Sequence, residues 1–171
     1  NLSRESQNEN YRERMAVFLR ENVAKAGSSN AFTGYEELPV YLQQAYEALR
    51  LGEKNAPYFW HYEFSDYMVP YLMERATSEY SLEQIVHPGV FHLMKYDKEK
   101  SSNLYQTLQI YLEHGGNATQ TAEKLFIHRS SLMKRLDKIQ SLTGIHLEKQ
   151  EERFYVELSC RLLEYHKSHE K

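Results

Sequence analysis

Residues 117–142 read NATQTAEKLFIHRSSLMKRLDKIQSL, and they contain the clearest structural signal in the chain. Asn117 is suited to cap a helix, and Gln120 stands at the third helical position, so a short helix of about nine residues is predicted. A three-residue break at 126–128 separates it from a second, longer helix that begins near 129. The apolar positions of the second helix repeat at helical spacing: Leu132, Leu136 and Ile139. Together these elements predict a helix-turn-helix.

The second helix has an outward face rich in cationic and hydroxyl side chains. Ala122 is small enough for the two helices to cross closely, and Ile127 fills the corner between them, so the apolar stripe turns the opposite face to solvent. Such a face fits the major groove of DNA, whereas the alternative is a structural helical hairpin with a solvated basic side. The candidate DNA-contacting residues are His128, Arg129, Ser130, Ser131, Lys134, Arg135 and Lys138, with Thr119 and Gln120 on the first helix.

Some of these candidates have a second interpretation. Arg135 could pair with Asp137 or Glu123 instead of contacting DNA. His128 is better suited to cap the second helix than to contact a base. The two candidates on the first helix either bind a phosphate together with the backbone amides there or simply take part in capping.

The charge distribution supports an interaction with DNA, although the total charge does not. The 171 residues include 21 Lys+Arg and 24 Asp+Glu, a formal net charge of −3, which alone argues against nucleic acid. Residues 115–140, however, contain five cationic and two anionic side chains, so they carry +3 and the rest of the chain −6. One positive stripe on an acidic body is typical of a docking face for phosphate.

The sequence on either side predicts further helices. Leu104, Leu108 and Leu112 predict a helix that ends at 114–116, and a last helix spans about 150–166. Its apolar residues are expected to be buried: Phe154, Leu158, Leu162 and Tyr165.

Upstream of residue 101, the pattern is mixed. Helices are predicted at 11–25 and 35–51, with Gly52 ending the second, and further helical pieces at 67–76 and 90–97. Ser81 begins a capping box, while Ala31-Phe32 and the aromatic-rich stretch 57–64 are strand-like. The predicted fold class is therefore mainly α, with a C-terminal helix-turn-helix domain and a small α/β part upstream.

Several motifs occur from residue 104 onward in an order that has a counterpart in a known family. They are Leu104-Tyr-Gln-Thr-Leu108, Tyr111-Leu-Glu, Gly116-Asn117, Thr121-Ala122, Leu125-Phe-Ile-His-Arg129, Leu132, Arg135-Leu136, Lys138-Ile139, Leu142-Thr-Gly144, Leu147 and the helix after Glu151-Glu152-Arg153. They resemble the C-terminal region of PucR/CdaR-type bacterial transcription regulators, and the helix-turn-helix is similar to that of Fis.

A weaker resemblance covers the upstream part. Ala45-Tyr-Glu-Ala48-Leu49 looks like the helix that closes the degenerate cyclase-like domain of this family, and 26–32 would supply a strand of it. The Gly-Gly-Asp/Glu-Glu-Phe motif is absent from the sequence, so cyclase chemistry is not implied. The resemblance implies a remnant of that domain in 1–86 and a DNA-binding domain in 87–171.

The resemblance also implies partners. It implies a cytoplasmic regulator that binds an operator in double-stranded DNA and forms a homodimer. It also implies a small-molecule effector, bound by an upstream domain that is missing here. A protein-interaction module whose basic face docks an acidic partner is the competing hypothesis. A metabolite-binding domain in 26–75 is a third.

The sequence departs from the family pattern at three places. The usual His-Arg-Asn-Thr reads His128-Arg129-Ser130-Ser131, which removes a possible bidentate adenine contact, so a base preference cannot be transferred. Lys134 stands where tyrosine is common. Phe126 occupies a turn position where many helix-turn-helix motifs have glycine, so a distorted turn is expected.

Other functional classes find little support in the sequence. It has no run of about 18 apolar residues for a membrane span, and the polar first residues predict no signal peptide. Close histidine pairs occur at His87/His92 and His166/His169 without ligands to complete a zinc site, so no metal or cofactor is predicted. The single cysteine, Cys160, is expected to be buried and inert. No catalytic motif is present, and an enzyme is not predicted.

Overall fold

The computed structural model describes the backbone of residues 2–169 and the side chains of residues 10–168. The chain divides into two compact units, Asn1–Arg75 and Ala76–Lys171. Helices dominate the described residues, and the strands form a two-stranded sheet, which confirms the mainly α fold class with a small α/β part upstream. The boundary between the units lies eleven residues before the one predicted at 86/87. The domain assignment itself stays a prediction.

The first unit is a small α/β arrangement. Its elements are α1 (Leu2–Glu21), β1 (Ala26–Ser28), α2 (Leu38–Asn55), β2 (His61–Glu63) and α3 (Phe64–Glu79), the last of which continues into the second unit. The two strands are parallel, with Gly27 opposite Tyr62 in the register, and α2 forms the connection between them. The strand β1 lies within the stretch 26–32 that the resemblance indicated, whereas the placement of a strand at Ala31-Phe32 was wrong.

Helix α2 lies very close to the sheet, and two glycines make this possible. A Cβ on Gly27 would lie 2.0 Å from the carbonyl oxygen of Ala45, and one on Gly52 would lie 2.1 Å from Cδ1 of Tyr62. Gly52 therefore does not end α2, as its type predicted, but sits buried inside the helix under the tyrosine ring. Ala48, Tyr62 and Phe64 form the buried apolar cluster at this contact.

The second unit is entirely helical in its described part. Besides the end of α3, it contains α4 (Leu82–Ile85), α5 (Pro88–Lys100), α6 (Leu104–Glu113), α7 (Ala118–Lys124), α8 (Arg129–Thr143) and α9 (Gln150–His169). Helix α6 is central, since it packs against α5, α7, α8 and α9. The core consists of buried aliphatic side chains from all the longer helices, including Leu93, Leu108, Leu132, Ile139 and Val156.

Local capping residues define most of the helix boundaries in this unit. Ser81 and Gln84 form the predicted capping box at α4, and Asn117 caps α7 as predicted. His87 caps α5, because its Nδ1 accepts a hydrogen bond from the backbone amide of Gly89 at 3.1 Å. The predicted glycine ends of α6 and α8 are also confirmed, since 115, 116 and 144 all adopt positive φ.

Helix α9 buries only part of the predicted face: Leu162 is buried as predicted and Tyr165 is half-buried. Phe154 is 63% exposed and Leu158 is 37% exposed, so the prediction that both are buried was wrong. The face that packs against α4, α5 and α6 instead carries Val156, Cys160 and Leu163. The helix has apolar residues on two sides, and only one of them contributes to the core of its own unit.

Among the residues described, no helix is both long enough and apolar enough to cross a lipid bilayer.

Candidate nucleic-acid interface

The turn between α7 and α8 is a Schellman motif. The backbone amide of Phe126 donates to the carbonyl of Glu123 at 3.1 Å, and that of Ile127 donates to the carbonyl of Ala122 at 3.0 Å. The motif needs a residue in the left-handed region, and Phe126 occupies it with φ of 54°. The backbone thus forms the turn that glycine would form, while the phenylalanine ring is 95% exposed. The turn expected to be distorted has regular hydrogen bonding.

The first residues of α8 are capped by His128. Its Nδ1 accepts a hydrogen bond from the backbone amide of Ser130 at 3.3 Å and lies 2.8 Å from Oγ of the same residue. Because Nδ1 accepts from the amide, it carries no proton in this arrangement, and the Ser130 hydroxyl donates to it as well. The prediction that His128 caps the helix is confirmed. The hydroxyl of Ser130 keeps lone pairs that can accept a further hydrogen bond.

Helix α8 is held in place by one apolar stripe and presents the opposite side to solvent. Leu132, Leu136 and Ile139 are buried against α5, α6 and α7, as the spacing predicted. Most of the predicted candidates on the other side are exposed: His128, Arg129, Ser130, Ser131, Lys134 and Lys138. Arg135 alone among them is half-buried.

Carboxylates of the described residues do not neutralise the cations on this outward face. Within residues 10–168, no ion pair involves Arg129, Lys134 or Lys138. Arginines elsewhere in the chain differ, since Arg50 pairs with Glu74 and Arg161 pairs with Glu157. The positive charge of α8 is therefore available for an external anion.

Arg135 is anchored by a residue that the sequence did not single out. Its Nη1 donates a hydrogen bond to Oγ1 of Thr107 on α6 at 3.1 Å. Thr107 is fully buried, and its hydroxyl donates in turn to the carbonyl of Asn103 at 2.8 Å. In the described part of the chain, Arg135 has no ion pair with Asp137 or Glu123, so the alternative pairing does not occur. A hydroxyl side chain within the apolar stripe of α6 was the available signal for this contact.

Lys138 lies beside an aromatic residue, the second residue that the sequence interpretation missed. Its Nζ is 5.6 Å from the ring centroid of Tyr96 on α5, which is within the range of a cation–π interaction. The contact holds the lysine towards the α5 side of α8 and leaves its charge at the surface.

The two candidates on α7 are exposed, but their backbone amides are already used. The amides of Thr119 and Gln120 donate to Oδ1 of Asn117 at 3.0 and 3.2 Å, respectively. Capping therefore takes the amides that a phosphate would need. The side chain of Thr119 still lines one shallow depression together with Phe126 and Arg129, whereas Gln120 does not line it.

One further prediction concerns a cysteine outside this surface. Cys160 is buried as predicted, and burial raises the pKa of its thiol to about 12. Among the described residues, no group of three or more His, Cys, Asp or Glu side chains could hold a metal ion.

Comparisons with known proteins point to one family. Residues 104–162 match the model of the PucR C-terminal helix-turn-helix domain. An uncharacterized protein of Haemophilus influenzae is 31% identical over 128 residues, which cover 75% of this chain and 34% of that protein. The carbohydrate diacid regulator of Escherichia coli is 27% identical over 133 residues, covering 78% of this chain and 34% of the regulator.

A third relative is the purine catabolism regulatory protein of Bacillus subtilis, which is 28% identical over 138 residues, or 80% of this chain and 25% of that protein. The chain thus spans about a third or less of the length of these relatives. No solved structure matches it.

Proposed function

Residues 104–162 belong to the PucR C-terminal helix-turn-helix family, and from this premise we propose that the chain is the DNA-reading part of a transcription regulator of PucR/CdaR type. The observation that supports this most strongly is the outward face of α8, where Arg129, Lys134 and Lys138 are exposed and form no ion pair with any residue between 10 and 168. A helix with unpaired cations on the side away from its core has the charge and shape that a major groove accepts.

In the proposed complex, α8 lies in the major groove. Arg129, at the first helical position, is placed to contact base edges, because the N-terminal residues of a recognition helix point at the bases. Lys134 and Lys138 are five and nine residues further along the helix, about 1.4 and 2.5 turns, and they contact phosphates or bases, with Ser130 and Ser131 beside them. Arg135, whose orientation is set by Thr107, contacts the phosphate backbone of the DNA at the edge of the interface.

Helix α7 has a supporting part in this proposal. Thr119 and Gln120 contact a phosphate through their side chains, because their amides are engaged by Asn117. His128 acts by capping α8, and it lies next to the phosphate that Thr119 and Gln120 contact. The α7–α8 pair therefore combines backbone contacts that set the register with base contacts from the start of α8.

The proposed regulator acts as a homodimer in the cytoplasm. A single helix-turn-helix buries little surface, whereas two copies of α8 about 34 Å apart would match a palindromic operator. The relatives are about three or more times longer than the matched segment. We therefore place the binding of a small-molecule effector in a part of such a regulator outside these 171 residues.

Fluorescence anisotropy with labelled promoter fragments tests the proposal. The chain is expected to bind at low salt, with a sequence preference among probes, and the double variant Arg129→Ala plus Lys134→Ala is expected to weaken binding at least about tenfold. The slope of log affinity against log salt concentration should become shallower by about two. Lys149→Ala, which removes a cation from the loop before α9, serves as the matched control and should bind as the unchanged chain does.

Three outcomes would contradict the proposal. The first is no binding to any promoter DNA at low salt, and the second is binding that the double variant leaves unchanged. The third is binding without any preference among DNA sequences, which would favour the competing hypothesis that the basic face docks an acidic protein.

A further inference from the structure

Helix α9 carries a second side-chain pattern that its own unit does not use. Glu151, Phe154, Leu158 and Arg161 follow one another at spacings of 3, 4 and 3 residues, which is the spacing of positions a and d in a coiled coil. We call these four residues the α9 seam. All four are exposed, with Phe154 at 63% and the side chain of Arg161 at 56%.

The seam lies on the side of α9 that faces away from the core. Most of the buried residues of α9, namely Val156, Ser159, Cys160 and Leu163, lie on the opposite side and pack against α4, α5 and α6, while Leu162, one turn after Leu158, is also buried and ends the exposed row. A surface helix normally has one apolar stripe and a polar remainder. Helix α9 has two apolar stripes, and the residues of the second, Phe154 and Leu158, are in contact with water.

The order of the charges along the seam indicates what covers it. An acid stands at its N-terminal end and a base at its C-terminal end, with the two apolar residues between them. Parallel pairing of two such helices would place Glu151 against Glu151 and Arg161 against Arg161, which is repulsive at both ends. Antiparallel pairing brings positions a and d together, so each glutamate meets an arginine and each phenylalanine meets a leucine.

We propose that the α9 seam is the dimerisation surface of the chain and binds the same seam of a second copy, with the two α9 helices antiparallel. Phe154 of one copy packs on Leu158 of the other, and Glu151 of one copy pairs with Arg161 of the other. The pattern is self-complementary under a two-fold axis, as an isologous interface requires. A surface that binds a different protein would not need to be complementary to itself.

Arg161 has a second role in this arrangement. In the single chain its guanidinium pairs with Glu157 on the preceding turn, with Nη2 3.0 Å from Oε1. The two Glu157 carboxylates would lie near the two-fold axis of the helix pair. Arg161 can bridge Glu157 of its own helix and Glu151 of the other, since a guanidinium has donors on more than one edge, so the carboxylates stay neutralised.

The seam and the proposed DNA-contacting face belong to different helices. Helix α8 packs against α5, α6 and α7, while α9 packs against α4, α5 and α6. The inference rests on the proposed function and extends it, because a regulator that reads a palindromic operator must form a dimer. The observation that carries it, however, is the charge and apolar pattern of α9, and it is tested without DNA.

Charge-swapped variants of the full 171-residue chain provide the test, with the molar mass measured by sedimentation equilibrium over a concentration series. The unchanged chain is expected to go from one to two chains as concentration rises. Glu151→Arg and Arg161→Glu, each alone, should raise the dimer dissociation constant at least about tenfold, because like charges then face each other at both ends. The double variant Glu151→Arg plus Arg161→Glu should dimerise again.

Mixing the two single variants is the strongest arm of the experiment. Glu151→Arg has an arginine at both ends of the seam and Arg161→Glu has a glutamate at both ends. An equimolar mixture should therefore form a heterodimer at a concentration where each variant alone is mostly monomeric. Restored pairing also shows that both variants are folded. Glu151→Gln and Arg161→Gln form a second set, which removes the attraction without adding repulsion and should weaken the dimer less.

The proposal is overturned if the unchanged chain stays monomeric at every concentration. It is also overturned if the single variants dimerise as tightly as the unchanged chain, or if neither the mixture nor the double variant regains the dimer. Dimerisation that ignores all of these changes would assign the interface to another surface. None of these results bears on the anisotropy experiment, because a monomer can still bind a half-site.

Discussion

The carboxylate of Asp97, near the end of α5, caps the next helix by accepting a hydrogen bond from the backbone amide of Tyr105 at 2.7 Å. Its other oxygen accepts from the amide of Leu104 at 3.0 Å and from the hydroxyl of Ser102. Asn103, the residue in the usual cap position, makes no side-chain cap. The N-terminus of the central helix is therefore satisfied from the preceding helix, and the α5–α6 corner is fixed by one side chain.

Asp97→Ala should lower the free energy of unfolding by about 1–2 kcal/mol, because two amides of α6 lose their acceptor and a negative charge leaves a helix N-terminus. Urea unfolding followed by circular dichroism measures this. Glu99→Ala, an exposed acid two residues further along α5, is the matched control and should change stability by less than about 0.5 kcal/mol. Equal effects of the two variants would show that the cap contributes nothing.

Thr107 should influence DNA binding only through Arg135. Thr107→Val removes the hydroxyl that receives the guanidinium hydrogen bond but keeps the buried shape, so the arginine loses its orientation. We expect weaker DNA binding for this variant and a coupling of about 0.5–1 kcal/mol between the two positions in a double-mutant cycle. In the Arg135→Ala background, Thr107→Val should no longer change the affinity. A persisting effect there would mean that Thr107 acts through the packing of α6.

Phe126 should be replaceable by glycine with a gain in stability. The left-handed backbone conformation of Phe126 destabilises the folded state by about 1 kcal/mol or more for any residue that has a Cβ. The exposed ring contributes no packing that the substitution would remove. Part of the gain is offset because glycine is more flexible in the unfolded chain, so Phe126→Gly should stabilise by about 0.5 kcal/mol. Phe126→Ala retains the Cβ and should be close to neutral. Thermal unfolding measures both variants against the unchanged chain. If the ring contributes packing, both variants should be less stable than the unchanged chain.

Cys160 should make the protein less stable at high pH. Burial raises the pKa of its thiol from 9.0 to about 12, so the native state keeps a proton that the unfolded state releases. Stability is unaffected below about pH 9 and falls as pH rises from there towards 12, by about 1 kcal/mol at roughly pH 10. Cys160→Ala should flatten this part of the profile in urea unfolding.

The same thiol should be unreactive in the native state. Titration with Ellman's reagent near pH 8 is expected to proceed at the rate of unfolding, since only the ionised and exposed thiol attacks the reagent. Reaction at the rate of a free cysteine would contradict the buried position.

The helix-turn-helix could be predicted because its determinants are close together in the sequence. Asn117 caps amides two and three residues ahead, and His128 caps the amide of Ser130. The left-handed turn at Phe126 follows from hydrogen bonds within six residues. The two caps depend on local spacing alone, so the order of residues was enough to identify them. The regular turn was not identified, because a phenylalanine in place of glycine indicated a distorted turn.

Contacts between distant residues could not be predicted in the same way. Gly52 has the residue type of a helix end, yet it is buried because Tyr62 packs on it. The hydrogen bond between Thr107 and Arg135 joins two residues that are 28 positions apart in the sequence. Phe154 and Leu158 have the same apolar character as core residues, and periodicity does not show which of two apolar faces meets the core. Tertiary packing determined all three.

The short length of α7 has a consequence for how the domain comes apart. Seven residues give too few internal hydrogen bonds for a helix to persist alone in water. Its geometry therefore exists only while α6 and α8 are in place, and α8 in turn begins at the turn that α7 ends with. The three helices form one cooperative unit of unfolding, and their amides should exchange with solvent through the same opening, with a common opening free energy.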